Sequence, residues 1–225
     1  MVSKQDATCC VDENMTTSQF AKVLTEEIDP EIHHRKIGVF GGTFNPPHLG
    51  HLMMAEMVGQ HLELDEVWFM PTAKPPHAPG KNTIASHHRL KMVELAIANN
   101  PLFKIQPYEV HRGGKNYSVD TMHHFVETHP DTDFYFIIGG DSVRDLPTWR
   151  NVDELSQLVQ FVGVQRPGVS IESPLYPILW VETPLIDLSS TDIRLRVFLD
   201  QSIRYQVPLE VEAYIQSQNL YKMEI

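Results

Sequence analysis

Cysteine is nearly absent from this 225-residue chain, and the two present, Cys9 and Cys10, are neighbours. Adjacent cysteines close a disulfide only with strained geometry, and no further Cys or suitably spaced His completes a zinc site around them. They read as free thiols. Long apolar runs are missing as well. No stretch of about 18 residues is apolar enough to span a bilayer, and no basic-then-apolar leader with a small-residue cleavage site opens the chain. These absences argue against membrane insertion and secretion, so the chain is expected in the cytoplasm. Basic residues are the minority: 18 Lys and Arg stand against 29 Asp and Glu, a formal net charge of -11. A broad grip on nucleic-acid phosphate needs clustered Lys and Arg to displace counterions, so no nucleic-acid partner is expected. A small anionic substrate held by a few local donors remains compatible. Internal repeats and low-complexity tracts are absent too.

What is present describes a soluble globular protein. With 42% hydrophobic and 21% charged residues, one compact domain is the default. Residues 1–35 read as an N-terminal extension that packs poorly. Their periodicity is weak, Asp12, Glu13, Glu26, Glu27, Asp29 and Glu31 load them with acid, and Pro30 breaks the chain before His33 and His34. Within the extension, Phe20, Val23 and Leu24 repeat at helical spacing behind a Ser18 cap, which predicts a short helix to Glu27.

From Lys36 onward short apolar runs alternate with longer amphipathic stretches. The runs are Ile37 to Phe40, Val67 to Met70, Phe103 to Ile105, Phe134 to Ile138 and Phe161 to Val164. Apolar residues on consecutive positions suit strands covered on both faces. Between them, Leu49 to Leu62, His87 to Ala98, Ser118 to Thr128 and Asp153 to Leu158 carry helical patterns. The alternation predicts an α/β fold: a doubly wound, Rossmann-like parallel sheet with helices on both faces. Two closing helices, Ser190 to about Leu199 and Leu209 to Gln216, form a small C-terminal helical part of a domain over residues 36–225.

The strongest local signal runs from Gly38 to His51, starting on a strand, crossing a glycine turn and entering a helix. A nucleotide should bind here. Gly41 and Gly42 permit close backbone approach and unusual φ/ψ, while the helix beginning near Leu49 offers free N–H groups and a positive dipole end to phosphate. In open parallel sheets ligands sit beyond the carboxyl ends of the strands, where this loop must lie. A glycine pair alone would fit any tight connection. His48 and His51 add weight, because three-residue spacing lets both imidazoles project to one side of the helix start. Two solvated surface histidines are the plainer alternative, and a zinc pair is disfavoured because no third ligand is spaced to join them.

Gly41-Gly-Thr-Phe-Asn-Pro-Pro-His-Leu-Gly-His51 resembles the signature of the nucleotidyltransferase superfamily, in which His-x-Gly-His follows a strand. Leu188-Ser-Ser-Thr-Asp-Ile-Arg194 resembles the second signature of that superfamily. The intervening chain is similar to bacterial nicotinate-mononucleotide adenylyltransferases over residues 36–221. Glu66 to Pro71, Pro75 to His77, Tyr117 to Thr121, Phe136 to Asp141, Leu146 to Trp149, Gly163 to Gly168 and the closing Asn219-Leu-Tyr221 carry the likeness.

The resemblance implies that ATP lies over Gly41, Gly42, Thr43 and Phe44, with Gly139 and Asp141 near its ribose and Ser189, Thr191 and Arg194 at its phosphates. It puts nicotinate mononucleotide beside His77 and Tyr117, its ring against Trp149 and its carboxylate at backbone N–H groups near Ser118 and Arg150. Elementary chemistry agrees at two points. Ser189 and Asp192 have the spacing of a capping box, which would set N–H groups, hydroxyls and the Arg194 guanidinium around a polyphosphate. Trp149 follows Leu-Pro-Thr in a loop-like setting that suits an aromatic platform. Two positions depart from the family pattern: Asn45 replaces its usual Asp, and Ala78 stands where relatives often carry Lys, a role open to Lys74 or Lys81. Family chains are also expected to begin just before the equivalent of Lys36.

The implied chemistry is attack of the mononucleotide 5′-phosphate on the α-phosphorus of ATP. An attacking oxygen already anionic needs no general base, so positioning and charge stabilisation should carry the rate. His48 and His51 would donate to phosphate oxygens, Arg194 would hold the β/γ end, and Mg²⁺ would arrive with ATP. Rival readings are adenylyl transfer to nicotinamide mononucleotide or phosphopantetheine, and a non-catalytic nucleotide sensor on the same fold. Trp149 and the Pro-Pro-His loop disfavour phosphopantetheine, and pyrophosphate release separates enzyme from sensor. Self-association is left open.

Overall fold

A computed structural model describes residues 34–74, 83–165, 175–184 and 186–222. The cysteine pair and the helix predicted over 18–27 lie outside the described residues. Strands β1 (Arg35–Gly42), β2 (Glu66–Pro71), β3 (Phe103–Ile105), β4 (Thr132–Gly139), β5 (Gln160–Gln165) and β6 (Ile178–Glu182) form one sheet. Their order is β3-β2-β1-β4-β5-β6, and each neighbouring pair is parallel. The order reverses between β1 and β4, so the loops after these two strands diverge and open a crevice at their carboxyl ends.

The helices are α1 (Leu49–His61), α2 (Ser86–Ile97), α3 (Tyr108–Arg112), α4 (Ser118–Thr128), α5 (Gly140–Asp145), α6 (Val152–Leu158), α7 (Ser190–Phe198) and α8 (Leu209–Ser217), with a 3₁₀ turn at Leu146–Thr148. All five expected strands and six expected helices are present. The expectation missed β6, an edge strand whose Leu179 and Glu182 are exposed. It also missed α3 and α5, which are too short to show a helical period.

Successive strand residues point to opposite faces, and this alternation divides the core. Ile37 and Val39 of β1 join Trp68, Met70, Phe136, Val119, Met122, Phe125 and Leu155 on the face covered by α4 and α6. Phe40, Val67, Phe69, Ala55, Val58 and Val93 pack on the other face under α1 and α2. Ile37 and Phe69 are wholly buried, and each such side chain contributes about 1.5–3 kcal/mol of transfer free energy. A third cluster joins Met92 of α2 to Ile193 and Val197 of α7, Val211 and Ile215 of α8, and Leu220 and Tyr221. It is this cluster that brings the start of α7 beside the loop after β1.

Candidate active site

The glycine pair does not form the turn that the sequence suggests. Gly41 and Gly42 are the last residues of β1, paired with Met70 and Pro71, and neither adopts a positive φ. The left-handed residue is Phe44, at φ 47, an uncommon conformation for a bulky side chain and a mark of local strain. Its ring folds back over Gly42, where an added Cβ would lie 3.0 Å from the ring, and meets His51 edge-on at 5.2 Å. Gly42 therefore supplies room for Phe44, whereas a Cβ at Gly41 would meet Phe136 and Met70 at ordinary contact distance.

His48 caps α1 in an extended conformation and is buried, while His51 keeps partial exposure. Their rings lie 3.6 Å apart with planes tilted by 31°. The His48 N–H donates to Nδ1 of His51 at 3.1 Å, which leaves the His51 proton on Nε2 as its donor. Burial brings the His48 pKa down to about 4, and burial followed by the nearness of His48 holds His51 well below the ordinary imidazole range. Both rings are thus neutral at pH 7, each with one N–H to offer. Gly50 makes this possible, because a Cβ there would stand 3.1 Å from Nδ1 of His48. One expectation is corrected: the first N–H of α1 is not free, since Leu49 donates to the Gln206 carbonyl at 2.9 Å.

The second motif docks onto this loop. Arg194 donates to the Asn45 carbonyl at 2.9 Å and to Thr191 Oγ1 at 3.3 Å, and Ser190 Oγ donates to the Pro46 carbonyl at 2.8 Å. Ser189 Oγ accepts from the Asp192 N–H at 3.1 Å and donates to the Asp192 carboxylate at 2.6 Å. Its hydroxyl proton is thus directed to Asp192. Beneath the loop Tyr221 donates to Oδ1 of Asn45, so an amide oxygen does what the family's usual carboxylate could do there. Burial holds the Tyr221 phenol protonated against the opposing pull of Arg194 and Arg89. Neither guanidinium pairs with a carboxylate among the described residues, so two cations lie under the loop of an acidic chain.

The other predicted residues that the structure describes lie at the end of β4 and on the segments that follow β3 and β4. Gly139 ends β4 and precedes α5, and a Cβ added there would meet nothing within 4 Å; packing does not demand this glycine, and a ligand is free to approach it. Asp141 lies in the first turn of α5. Tyr117 precedes α4, with Lys115 Nζ 4.9 Å and Arg150 Cζ 4.5 Å from its ring centre. The Lys115 hydrogen bond, then the Lys115 and Arg150 charges, lower its phenol pKa. Ser118 opens α4, whose start has no side-chain cap. Trp149 is half-buried, edge-on to Phe136 at 5.9 Å. A bridge between Lys74 and Lys115 joins the segment after β2 to this cluster. His77, Ala78 and Lys81 lie outside the described residues. Of the described residues, three hold buried side-chain polar atoms with no hydrogen-bond partner: His48 Nδ1, Thr72 Oγ1 and Asn116 Oδ1. They lie on the loop after β1, directly after β2 and just before α4.

Comparison with known proteins agrees with the geometry. The cytidylyltransferase-like family model matches residues 39–196. A probable nicotinate-nucleotide adenylyltransferase of Lactiplantibacillus plantarum is 53% identical, over 92% of this chain and 98% of that protein. The chain belongs to the nicotinate-nucleotide adenylyltransferase family. A second member, from Enterococcus faecalis, is 50% identical over 95% of this chain and 97% of its own length. These two alignments reach back into residues 1–33, whereas a relative from Bacillus licheniformis, 46% identical, is covered to 99% of its length by 188 residues, so only some members share the N-terminal stretch. The fold is shared with a Plasmodium falciparum nicotinic acid mononucleotide adenylyltransferase complexed with NaAD, at TM-score 0.72 and 22% identity, covering 85% of this chain and 99% of that one.

Within this family assignment, several contributors escaped the sequence. Gly50 is legible only once the His48 ring is seen above it. Tyr221 stood in a matching terminal triplet but had no role attached. Arg89, on a helix whose pattern reads as surface, is 1% exposed; a charged residue among Leu90 and Val93 was the one signal available. Among the described residues no helix is long and apolar enough to cross a membrane.

Proposed function

We infer that this chain transfers the adenylyl group of ATP to nicotinate mononucleotide, giving deamido-NAD and pyrophosphate in NAD biosynthesis. One observation carries the reading: the neutral His48–His51 pair faces the same loop as Arg194, in a chain half identical to enzymes of that name. An oxygen of the mononucleotide phosphate forms a bond to the α-phosphorus, and the bond to the bridging oxygen breaks, so the electron pair leaves with pyrophosphate. No enzyme nucleophile or general base is required. His51, through Nε2–H, and His48 donate to the phosphate oxygens, and Arg194 neutralises the β/γ end. The loop presents imidazoles and a guanidinium, which suit phosphate oxygens and not a hard cation. Mg²⁺ therefore belongs to this reading as the counter-ion of ATP, with phosphate oxygens as its ligands and charge neutralisation as its contribution.

Gly41, Gly42, Thr43 and Phe44 form the ATP side with Gly139, Asp141, Ser189 and Thr191. His77, Tyr117, Ser118, Trp149 and Arg150 form the mononucleotide side. We assign the chemistry to residues 36–225, in the cytoplasm. Incubation with Mg-ATP and a panel of acceptors tests the reading: a dinucleotide with the mass of NaAD is expected, together with pyrophosphate. Product formed only from phosphopantetheine, or pyrophosphate release with no acceptor dependence, would contradict it.

A further inference from the structure

We propose that Arg89 is a positioning residue for the adenylyl transfer inferred above, on which this rests: it fixes the spacing between the ATP-side loop and the segment after β2, so that the two substrates meet. Arg89 lies on α2, and each guanidinium nitrogen is used. Nη1 donates to the Thr43 carbonyl and Nη2 to the Ala73 carbonyl, both at 2.8 Å, while Nε reaches the Ile84 carbonyl at 3.3 Å. Thr43 follows β1 directly, and Ala73 stands two residues beyond β2. The β1–β2 ladder ends with the Thr72 N–H on the Gly42 carbonyl at 2.9 Å. Past that bond the sheet no longer ties the two segments, and the planar Arg89 fork takes over.

The tie extends across the crevice. Lys74, next to Ala73, bridges to Lys115, two residues before Tyr117 and three before Ser118 on the mononucleotide side. Thr43 leads into Phe44, Asn45 and the histidine pair. One side chain therefore sets the distance between a phosphate-binding loop and the platform for the attacking mononucleotide.

A plain packing role does not account for the choice of residue. A guanidinium buried without a carboxylate carries a desolvation cost that an apolar side chain of similar volume avoids. What an apolar side chain cannot do is hold two carbonyls in a fixed plane, and a lysine ammonium lacks the rigid fork. The uncompensated charge, beside Arg194 and Tyr221, also favours a polyanion above the loop.

The variants Arg89→Lys and Arg89→Met test this, using pyrophosphate release with each substrate varied, separate binding titrations and melting temperature. For R89K we expect a folded protein whose kcat falls about 100-fold, as misplacement near 1 Å can cause, while an ATP analogue and nicotinate mononucleotide each bind within about threefold of wild type. Wild-type kcat in folded R89K, or a defect confined to ATP binding, would overturn the proposal. Should both variants fail to fold, amide exchange on the unaltered protein decides. A non-hydrolysable ATP analogue alone should slow exchange at Ala73 and Lys74 as well as at Thr43 and Phe44, and protection that stops at the first loop refutes the coupling. Wild-type protein that makes no dinucleotide with any acceptor would refute the adenylyl-transfer reading instead, leaving the exchange result to judge Arg89.

Discussion

The phenol of Tyr221 donates a 2.9 Å hydrogen bond to Oδ1 of Asn45 across 176 residues of sequence, both groups buried. The end of the described chain is thereby latched to the loop that carries His48. Tyr221→Phe keeps the ring packing and leaves the Asn45 oxygen without its donor, which costs about 1–3 kcal/mol. For a chain of this size that lowers the melting temperature by roughly 2–4 °C per kcal/mol. Calorimetry should show this, together with a raised KM for ATP; an unchanged Tm would mean that the latch contributes nothing.

His51→Ala and His48→Ala should each lower kcat by about 100-fold, the usual cost of removing one donor to developing charge. Gly50→Ala should act through His48, because the new Cβ would press on its ring, and a loss of about tenfold is expected. Circular dichroism should be unaltered in all three. Turnover near wild type in both histidine variants, measured as pyrophosphate release, would remove the imidazoles from the mechanism.

The histidines should also leave a signature in acid stability. A pKa near 4 in the folded protein against 6.5 unfolded means that the unfolded chain binds the extra proton first. The stabilisation is complete above pH 6.5 and is lost as pH falls toward 4. His48 alone should cost about 2 kcal/mol by pH 5, and His51 adds in the same direction. Urea unfolding at pH 7 and pH 5 checks this: the drop in wild type should exceed that in a His48→Ala/His51→Ala double variant, and equal drops would contradict it.

Acceptor choice follows from the uncapped start of α4 with Lys115 and Arg150 around Tyr117. N–H donors and cations suit a carboxylate and repel an amide NH₂. Nicotinate mononucleotide should exceed nicotinamide mononucleotide by at least about tenfold in kcat/KM, and Trp149→Ala should raise KM for the mononucleotide about tenfold, leaving that for ATP unchanged. Competition assays with both acceptors measure the first; parity between them would refute it.

The sequence alone determined the order and type of most elements, because apolar runs such as Val67 to Met70 and periodic stretches such as Ser118 to Thr128 encode burial locally. It also put His48 and His51 in the loop after β1, since a strand followed by a helix start confines a short motif to one place in a parallel sheet; Arg194 was read from the second motif. Tertiary structure decided what those residues touch. Gly42 makes room for the Phe44 ring, Ser189 gives its hydroxyl proton to Asp192, and Leu49 gives its N–H to Gln206. Partners up to 176 residues away along the chain leave no periodic trace, which is why Tyr221 and Arg89 were invisible as parts of the site. The charge state of the histidine pair was equally hidden. Neutral imidazoles at pH 7 follow from burial under a loop and from a ring 3.6 Å away, and only a folded chain supplies either.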